Sequence, residues 1–239
     1  MTKKAVATKT MTEPRKRLAV WAVALGALSY QVAKGHLAFL DQPIAYWIAA
    51  WRSASLDGPM RLATFFGGSV WMLVSLLGLG LWAWRRGGAT LVLIFIGAFG
   101  VGSAIEIGVK LSGLQWRPDI VTIPASMDAA SRFHLTGFPS GHGFRSAFLF
   151  GWLARQLRDS DISWASVGRV VCAVMIGLVG LSRLYLNRHW ASDVLGSWLV
   201  ALVALSLARS WEAGWSKNSQ RSSSRNSGNS GRFYFPGHP

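Results

Sequence analysis

Apolar runs near residues 18–35, 64–84, 89–111, 142–157, 167–186 and 190–209 dominate this chain. A helix needs about 20 residues to cross the hydrocarbon of a bilayer. Runs of that length, repeated with short polar breaks, predict an all-α integral membrane bundle of six spans. The fourth run is the weakest, because Arg145 and Arg155 interrupt it. The first run follows a basic stretch, as a signal peptide would. No clean A-x-A-like cleavage site closes it and further spans follow, so it reads as a retained helix.

Charge decides which way such a bundle sits. The chain carries 25 Lys plus Arg against 10 Asp plus Glu, a net +15. In a soluble protein that excess would point to nucleic acid. Here the basic residues gather at the chain ends and between apolar runs, the pattern that orients membrane proteins, so no nucleic-acid partner is expected. With the N-terminus inside, the inner side holds six basic residues before Leu18, Arg85 and Arg86, Arg155, Arg158 and Arg169, and five from Arg209 onward. These sixteen exceed the nine left outside, which predicts cytoplasmic termini. The ends of spans three and five and the starts of spans four and six then face outward.

Residues 1–17 read as a basic cytoplasmic tail, 18–212 as the membrane-embedded domain, and 213–239, rich in Ser, Asn, Gly and Arg, as a disordered tail. The aromatic end of that tail has no assigned role. Between spans one and two, Ile44, Trp47, Ile48 and Trp51 recur at helical spacing. Asp41 is placed to cap that helix and Pro43 to occupy its first turn. It is too short to span and is expected to lie in the interface. The single cysteine, Cys172, has no partner for a disulfide and reads as a small buried hydrophobe.

Three short strings fall at the outward ends of these spans. They are Lys110 with Arg117-Pro118 (K-x6-R-P), Pro139-Ser140-Gly141-His142, and Ser182-Arg183 with His189 and Asp193 (S-R-x5-H-x3-D). His189 and Asp193, four apart at a helix start, share a face. A carboxylate on one imidazole nitrogen fixes the tautomer and leaves the other free to attack. Ser140 and Gly141 open a helix, where free N–H groups favour an anion. His142, beside them, suits proton transfer. Lys110, Arg117 and Arg183 supply fixed positive charge for a phosphate. Glu106, one turn before Lys110, is its expected partner. His36, His134 and His238 read as bystanders. Arg132, Arg145 and Arg188 add cations near the site.

The three strings together resemble the type 2 phosphatidic acid phosphatase family, the lipid phosphate phosphatases, at every specified position of its pattern. The resemblance covers roughly residues 64–209. It implies a bacterial-type membrane member with a six-helix bundle and a metal-independent phosphatase activity. His189 then resembles the nucleophile that forms a phosphohistidine, Asp193 its orienting partner, and His142 the general acid. Lys110, Arg117, Ser140, Gly141 and Arg183 resemble the phosphate-binding set. No cofactor is implied. No His/Cys/carboxylate cluster has the ligand count of a zinc site, and no Gly-rich nucleotide loop occurs. The implied substrates are lipid phosphates or diphosphates: undecaprenyl diphosphate, phosphatidylglycerol phosphate, phosphatidic acid or lipid A phosphates. The loop from Asp119 to Phe138 is long for a compact bundle and is placed to shape the substrate's way in.

Three rivals use the same residues. An intramembrane serine hydrolase built on Ser140, His142 and Asp193 leaves His189 and the cations without work, and G-x-S-x-G is absent. A lipid-phosphate binder or transporter leaves the His189/Asp193/His142 set unexplained. A vanadate-dependent haloperoxidase shares the anion site but is a soluble protein.

Overall fold

The computed structural model describes residues 13–119, 128–158 and 163–229. Eight helices follow in order: α1 (Glu13–Ala33), α2 (Ala38–Ala50), α3 (Ala54–Phe65), α4 (Ser69–Leu111), α5 (Ala129–Leu135), α6 (Gly141–Arg158), α7 (Ala165–Tyr185) and α8 (Ala191–Asn229). Among the described residues the only β pairing is one isolated bridge, Trp116 to Thr136.

The helices do not end where the hydrophobicity does. The first apolar run begins at Leu18, yet α1 begins at Glu13. A glutamate in the first turn suits the positive end of the helix dipole, and Glu13 also pairs with Lys16 at 2.8 Å. Helix α8 likewise continues past the apolar run to Asn229, through residues that the sequence assigns to a tail. Helix α4 covers runs two and three and breaks at Gly88, whose φ of 62° and ψ of −160° suit glycine alone. The break separates Ser69–Arg86 from Gly88–Leu111.

Three helical segments are long and apolar enough to cross a membrane: Gly88–Leu111, Ala165–Tyr185 and Ala191–Ser216. Two bent pairs raise the number to five if each is one span: α1 with α2, bent by 83°, and α3 with Ser69–Arg86, bent by 42°. The protein is therefore a multi-pass, all-helical membrane protein. Helix α6, the fourth run, falls short on apolarity, and its surroundings explain why. Its buried side chains include Phe144, Ser146, Phe148 and Trp152, and it packs against α4, α7 and α8. A helix enclosed by protein needs no apolar coat.

The core is aromatic against small. Phe95 and Phe99 of α4 meet Phe144, Phe148 and Trp152 of α6, with ring centroids 4.8–5.6 Å apart across the interface. Buried Ala201, Ala204 and Ala208 of α8 let the helices approach, as membrane helices do where small residues line the contact. A Cβ on Gly102 would lie 2.6 Å from the Phe144 ring. Cys172 is buried, as expected. Outward faces carry exposed Val23, Leu77, Leu93 and Val170, apolar residues that lipid, not water, suits.

Helix α2 differs from its expected form. It starts at Ala38, so Pro43 lies beyond the first turn. Asp41 caps nothing in α2: it is buried and reaches α8. Of the expected apolar face, Ile48 is buried, whereas Trp47 and Trp51 are exposed and pack on each other. Asp128 caps α5 by accepting from Ser131 N at 2.8 Å.

Candidate active site

The three strings converge at one end of the bundle. Lys110 closes α4 and is buried against Glu106, Nζ to Oε1 3.2 Å. The Nζ also lies 4.9 Å from the Phe133 ring centroid. A buried pair of this kind matters most when broken, because the survivor is left uncompensated. The chain after α4 then runs beside residues 135–137: Arg117 N donates to Leu135 O at 3.2 Å, and Gly137 N donates to Gln115 O at 2.8 Å. This short pairing carries Arg117 to the start of α6.

Ser140 acts as the cap of α6. It is fully buried, its carbonyl accepts from Phe144 N at 2.9 Å, and its Oγ lies 3.4 Å from Gly143 N. Its own N–H donates to Asp193 O at 3.0 Å, which joins α6 to α8. Gly141 is required for a reason the sequence does not show. A Cβ there would lie 2.4 Å from Glu106 Oε1. His142 follows, its Nδ1 3.5 Å from an Arg145 terminal nitrogen. That contact lies at the limit of hydrogen bonding, and Nε2 is left to exchange a proton. Arg145 is itself held by Gly67 O, which accepts from its Nε at 2.9 Å.

The last string closes the site. Arg183 is buried at the end of α7, donates to Thr64 Oγ1 at 2.8 Å and keeps its Nε without a partner. Ser182 turns back to Val179 O at 2.6 Å and takes no part. His189 Nδ1 lies 3.2 Å from Asp193 Oδ2, and both residues are buried. The same Oδ2 accepts from Trp190 N at 2.9 Å. Nδ1 is therefore occupied, and Nε2 is the nitrogen left to face the cations. Burial, then the charges of Arg183, Arg117, Lys110 and His142, hold the His189 imidazole well below the usual histidine range. It stays neutral and so keeps its lone pair.

Charge balance gives the site its preference. Lys110, Arg117, Arg145, Arg183 and Arg188 face one another across it. Glu106 answers Lys110, Asp119 answers Arg188 at 3.0 Å, and Asp193 holds His189. With Asp41 behind Asp193, four carboxylates answer these five cations, so the site keeps a positive balance that favours an anion. The unpartnered Nε atoms of buried Arg117 and Arg183 are donors awaiting an acceptor.

A profile of the PAP2 superfamily matches residues 88–217, more than half of the chain. The chain belongs to the PAP2 superfamily. It is 26% identical over 178 residues to phosphatidylglycerophosphatase B of Bacillus subtilis (strain 168), a match spanning 72% of this chain and 83% of that one. Its fold is similar to the crystal structure of a transmembrane PAP2 type phosphatidylglycerolphosphate phosphatase from Bacillus subtilis, with TM-score 0.67 at 21% identity, over 85% of this chain and 98% of that one. It is also similar in fold to Aquifex aeolicus LpxE, with TM-score 0.52 at 19% identity, over 70% and 94% of the two chains.

In this PAP2 chain all eight expected site residues come together, and three further ones support them. Asp41 of α2 accepts from Ser192 N at 2.9 Å, from Ser192 Oγ at 2.6 Å and from Gln115 Nε2 at 3.0 Å. It thus pins the start of α8, one residue before Asp193, to the loop that carries Arg117. Gly137 packs directly on the Asp193 carboxylate. The one sequence signal for this network is Asp41 itself, a carboxylate in an apolar segment, which usually has a partner. Trp190 Nε1 donates to Trp116 O at 2.8 Å and ties the same two loops. His36 bonds only Gln31, and exposed His134 stacks edge-on to Phe133, so neither joins the site. Among the described residues no group of three or more His, Cys, Asp or Glu could hold a metal ion. Residues 120–127 of the long loop, and His238, lie outside the described residues.

Proposed function

We propose that this protein, a phosphatase of the PAP2 superfamily, hydrolyses a lipid phosphate or diphosphate without a metal, through a phosphohistidine on His189. The observation that carries this reading is a buried His189, its Nδ1 3.2 Å from Asp193 Oδ2, among cations that outnumber carboxylates. His189 Nε2 attacks phosphorus, and the bond from phosphorus to the lipid oxygen breaks. The departing oxygen keeps the electron pair and takes the Nε2 proton of His142 in its imidazolium form, which leaves a neutral imidazole. Water then attacks phosphorus and gives a proton to His142. The P–N bond breaks, inorganic phosphate leaves, and His189 returns neutral. Arg117, Arg183 and Lys110 stabilise the charge on the non-bridging oxygens in both steps. Ser140 serves chiefly as a helix cap, which favours His189 over a serine nucleophile.

The proposed topology has six spans: α1, Ser69–Arg86 with α3, Gly88–Leu111, α6, α7 and α8, with α2 along the interface. The excess of basic residues on one side favours cytoplasmic termini and an outer-face site in a bacterial inner membrane. Among the candidate substrates, phosphatidylglycerol phosphate gains support from the named activity of the Bacillus relative. Rapid quench with ³²P-labelled lipid tests the mechanism. An acid-labile, alkali-stable phosphoenzyme is expected, absent in His189→Ala. An acid-stable adduct lost in Ser140→Ala would overturn the assignment.

A further inference from the structure

Helix α3 has 12 residues, about 18 Å of helix, and does not span a bilayer alone. It is strapped instead to the C-terminal end of α7, at both of its own ends. At its start, Ser53 N donates to Tyr185 Oη at 2.9 Å, and Tyr185 Oη donates to Ser53 O at 2.9 Å. At its finish, Arg183 Nη1 donates to Thr64 Oγ1 at 2.8 Å. The two straps leave α7 two residues apart. Only the second is made by a cation of the candidate site.

Thr64 stands on a fixed base. The chain passes from α3 to α4 through Phe66, Gly67 and Gly68, and Phe65 and Phe66 pack on Trp71 with ring centroids 5.9 and 4.9 Å away. Gly67 O accepts from Arg145 Nε at 2.9 Å. A Cβ on Gly67 would lie 2.6 Å from His142 O, so this corner presses on the first turn of α6. Thr64 is thus fixed relative to His142 while it holds Arg183. The shape of a guanidinium decides what is left over. Its Nε and Nη2 hydrogens point the same way and form a fork that grips two oxygens of a phosphate; Nη1 lies outside that fork. Thr64 takes Nη1, and the buried Nε keeps no partner.

We propose that Thr64 is a positioning residue, whose hydroxyl fixes the Arg183 guanidinium so that its Nε–Nη2 edge faces the phosphate under attack by His189. The inference rests on the phosphatase reading of the site. Thr64 touches no reacting atom, and it lies before residues 88–217, the stretch that the superfamily profile matches. It contributes orientation and no charge, so it acts on the transition state more than on ground-state binding.

The test compares Thr64→Val, Thr64→Ser and Tyr185→Phe in the purified full-length protein, by steady-state kinetics, vanadate inhibition and thermal unfolding. Valine keeps the shape of threonine and removes the acceptor. A hydrogen bond to a charged group favours the aimed orientation by a factor of about ten to a hundred, so kcat is expected to fall by that factor. KM should change by less than about threefold, since the charge of Arg183 remains. Vanadate takes the five-coordinate geometry of phosphorus in transfer, and it should inhibit less well by the same factor as kcat falls. Thr64→Ser restores the acceptor and should return both quantities to within about threefold of wild type. Tyr185→Phe removes the other strap, so it should lower the unfolding temperature and leave kcat within about threefold. Thr64→Ala, which adds no new methyl, repeats the measurement if the valine variant does not fold. Wild-type kcat and vanadate inhibition without the Thr64 hydroxyl overturn the inference. An equal loss in Tyr185→Phe also overturns it, because the effect then belongs to the docking of α3 as a whole. Arg183→Ala and His189→Ala are measured alongside. Turnover kept in both would overturn the phosphatase reading, whereas turnover lost in both and kept in Thr64→Val would overturn the role of Thr64 alone.

Discussion

Replacing Gly137 with alanine tests whether the Asp193 carboxylate must stay where it is. The new Cβ would lie 2.5 Å from Oδ2, 3.2 Å from Cγ and 3.3 Å from Oδ1. The backbone at Gly137 cannot retreat easily, because its N–H is bonded to Gln115 O at 2.8 Å. Asp193 must therefore move. Restoring an ordinary contact of 3.4 Å displaces Oδ2 by about 0.9 Å. That oxygen holds both His189 Nδ1 at 3.2 Å and Trp190 N at 2.9 Å. A shift of that size takes the histidine bond beyond hydrogen-bonding range. Nδ1 is then free to accept rather than donate, and Nε2 takes the proton that blocks attack. Losing an orienting carboxylate elsewhere costs up to about 10⁴ in rate, so kcat is expected to fall by roughly 10²–10⁴, or about 3–5 kcal/mol of barrier. The cations are untouched, so vanadate should still inhibit at a concentration within about threefold of wild type, a window set at under 1 kcal/mol of binding. Gly100→Ala, with nothing within 4 Å of its Cβ, is the control. Steady-state kinetics on purified protein decide the matter. A Gly137→Ala enzyme with kcat close to wild type would show that the carboxylate does not orient His189.

Asp41→Asn sets an amide against Ser192 N–H or Gln115 Nε2 and is expected to destabilise the fold by about 1–3 kcal/mol and to lower kcat more than it raises KM; thermal unfolding and kinetics measure both. Because burial and neighbouring cations hold His189 below the usual histidine range, it stays neutral as pH falls through about 6.5, where the unfolded chain gains a proton. Stability from this group is thus complete above that pH and declines below it, whereas the acid limb of kcat/KM attributable to His189 should lie below it; a limb traced to His189 by mutation at or above 6.5 would contradict the geometry. EDTA should leave turnover intact, checked by adding magnesium back. In a Cys172→Ala background, Ser131→Cys and Ser163→Cys should label from opposite sides of the membrane with an impermeant maleimide, and labelling from one side would end the six-span topology.

The pairs of the candidate site were legible because their contacts are local. His189 and Asp193 are one helical turn apart, and Glu106 and Lys110 another, so spacing alone sets each pair face to face. Span ends and charge bias then place the pairs on one side. What holds the pairs together was not legible. Asp41 meets Ser192 across 151 residues, and Trp190 meets Trp116 across 74. No period in a sequence encodes such a contact. One reading followed a local rule that tertiary structure overrode. Asp41 had the spacing of a cap, but α2 began earlier and freed it for α8.

The enclosure of α6 bears on how the protein is made. Carrying Arg145, Arg155 and Arg158, it gains little by entering lipid as a lone helix. Each arginine at the middle of a segment costs about 2.5–3.5 kcal/mol on the scale of translocon-mediated insertion, and less toward the ends. Its aromatic face is satisfied by α4, which is made earlier, and by α7 and α8, which are made later. During synthesis α6 must therefore lodge against α4 and wait at the translocon until α7 and α8 emerge to close over it. The histidine of its first turn reaches its place in the candidate site only when the last helix has been inserted.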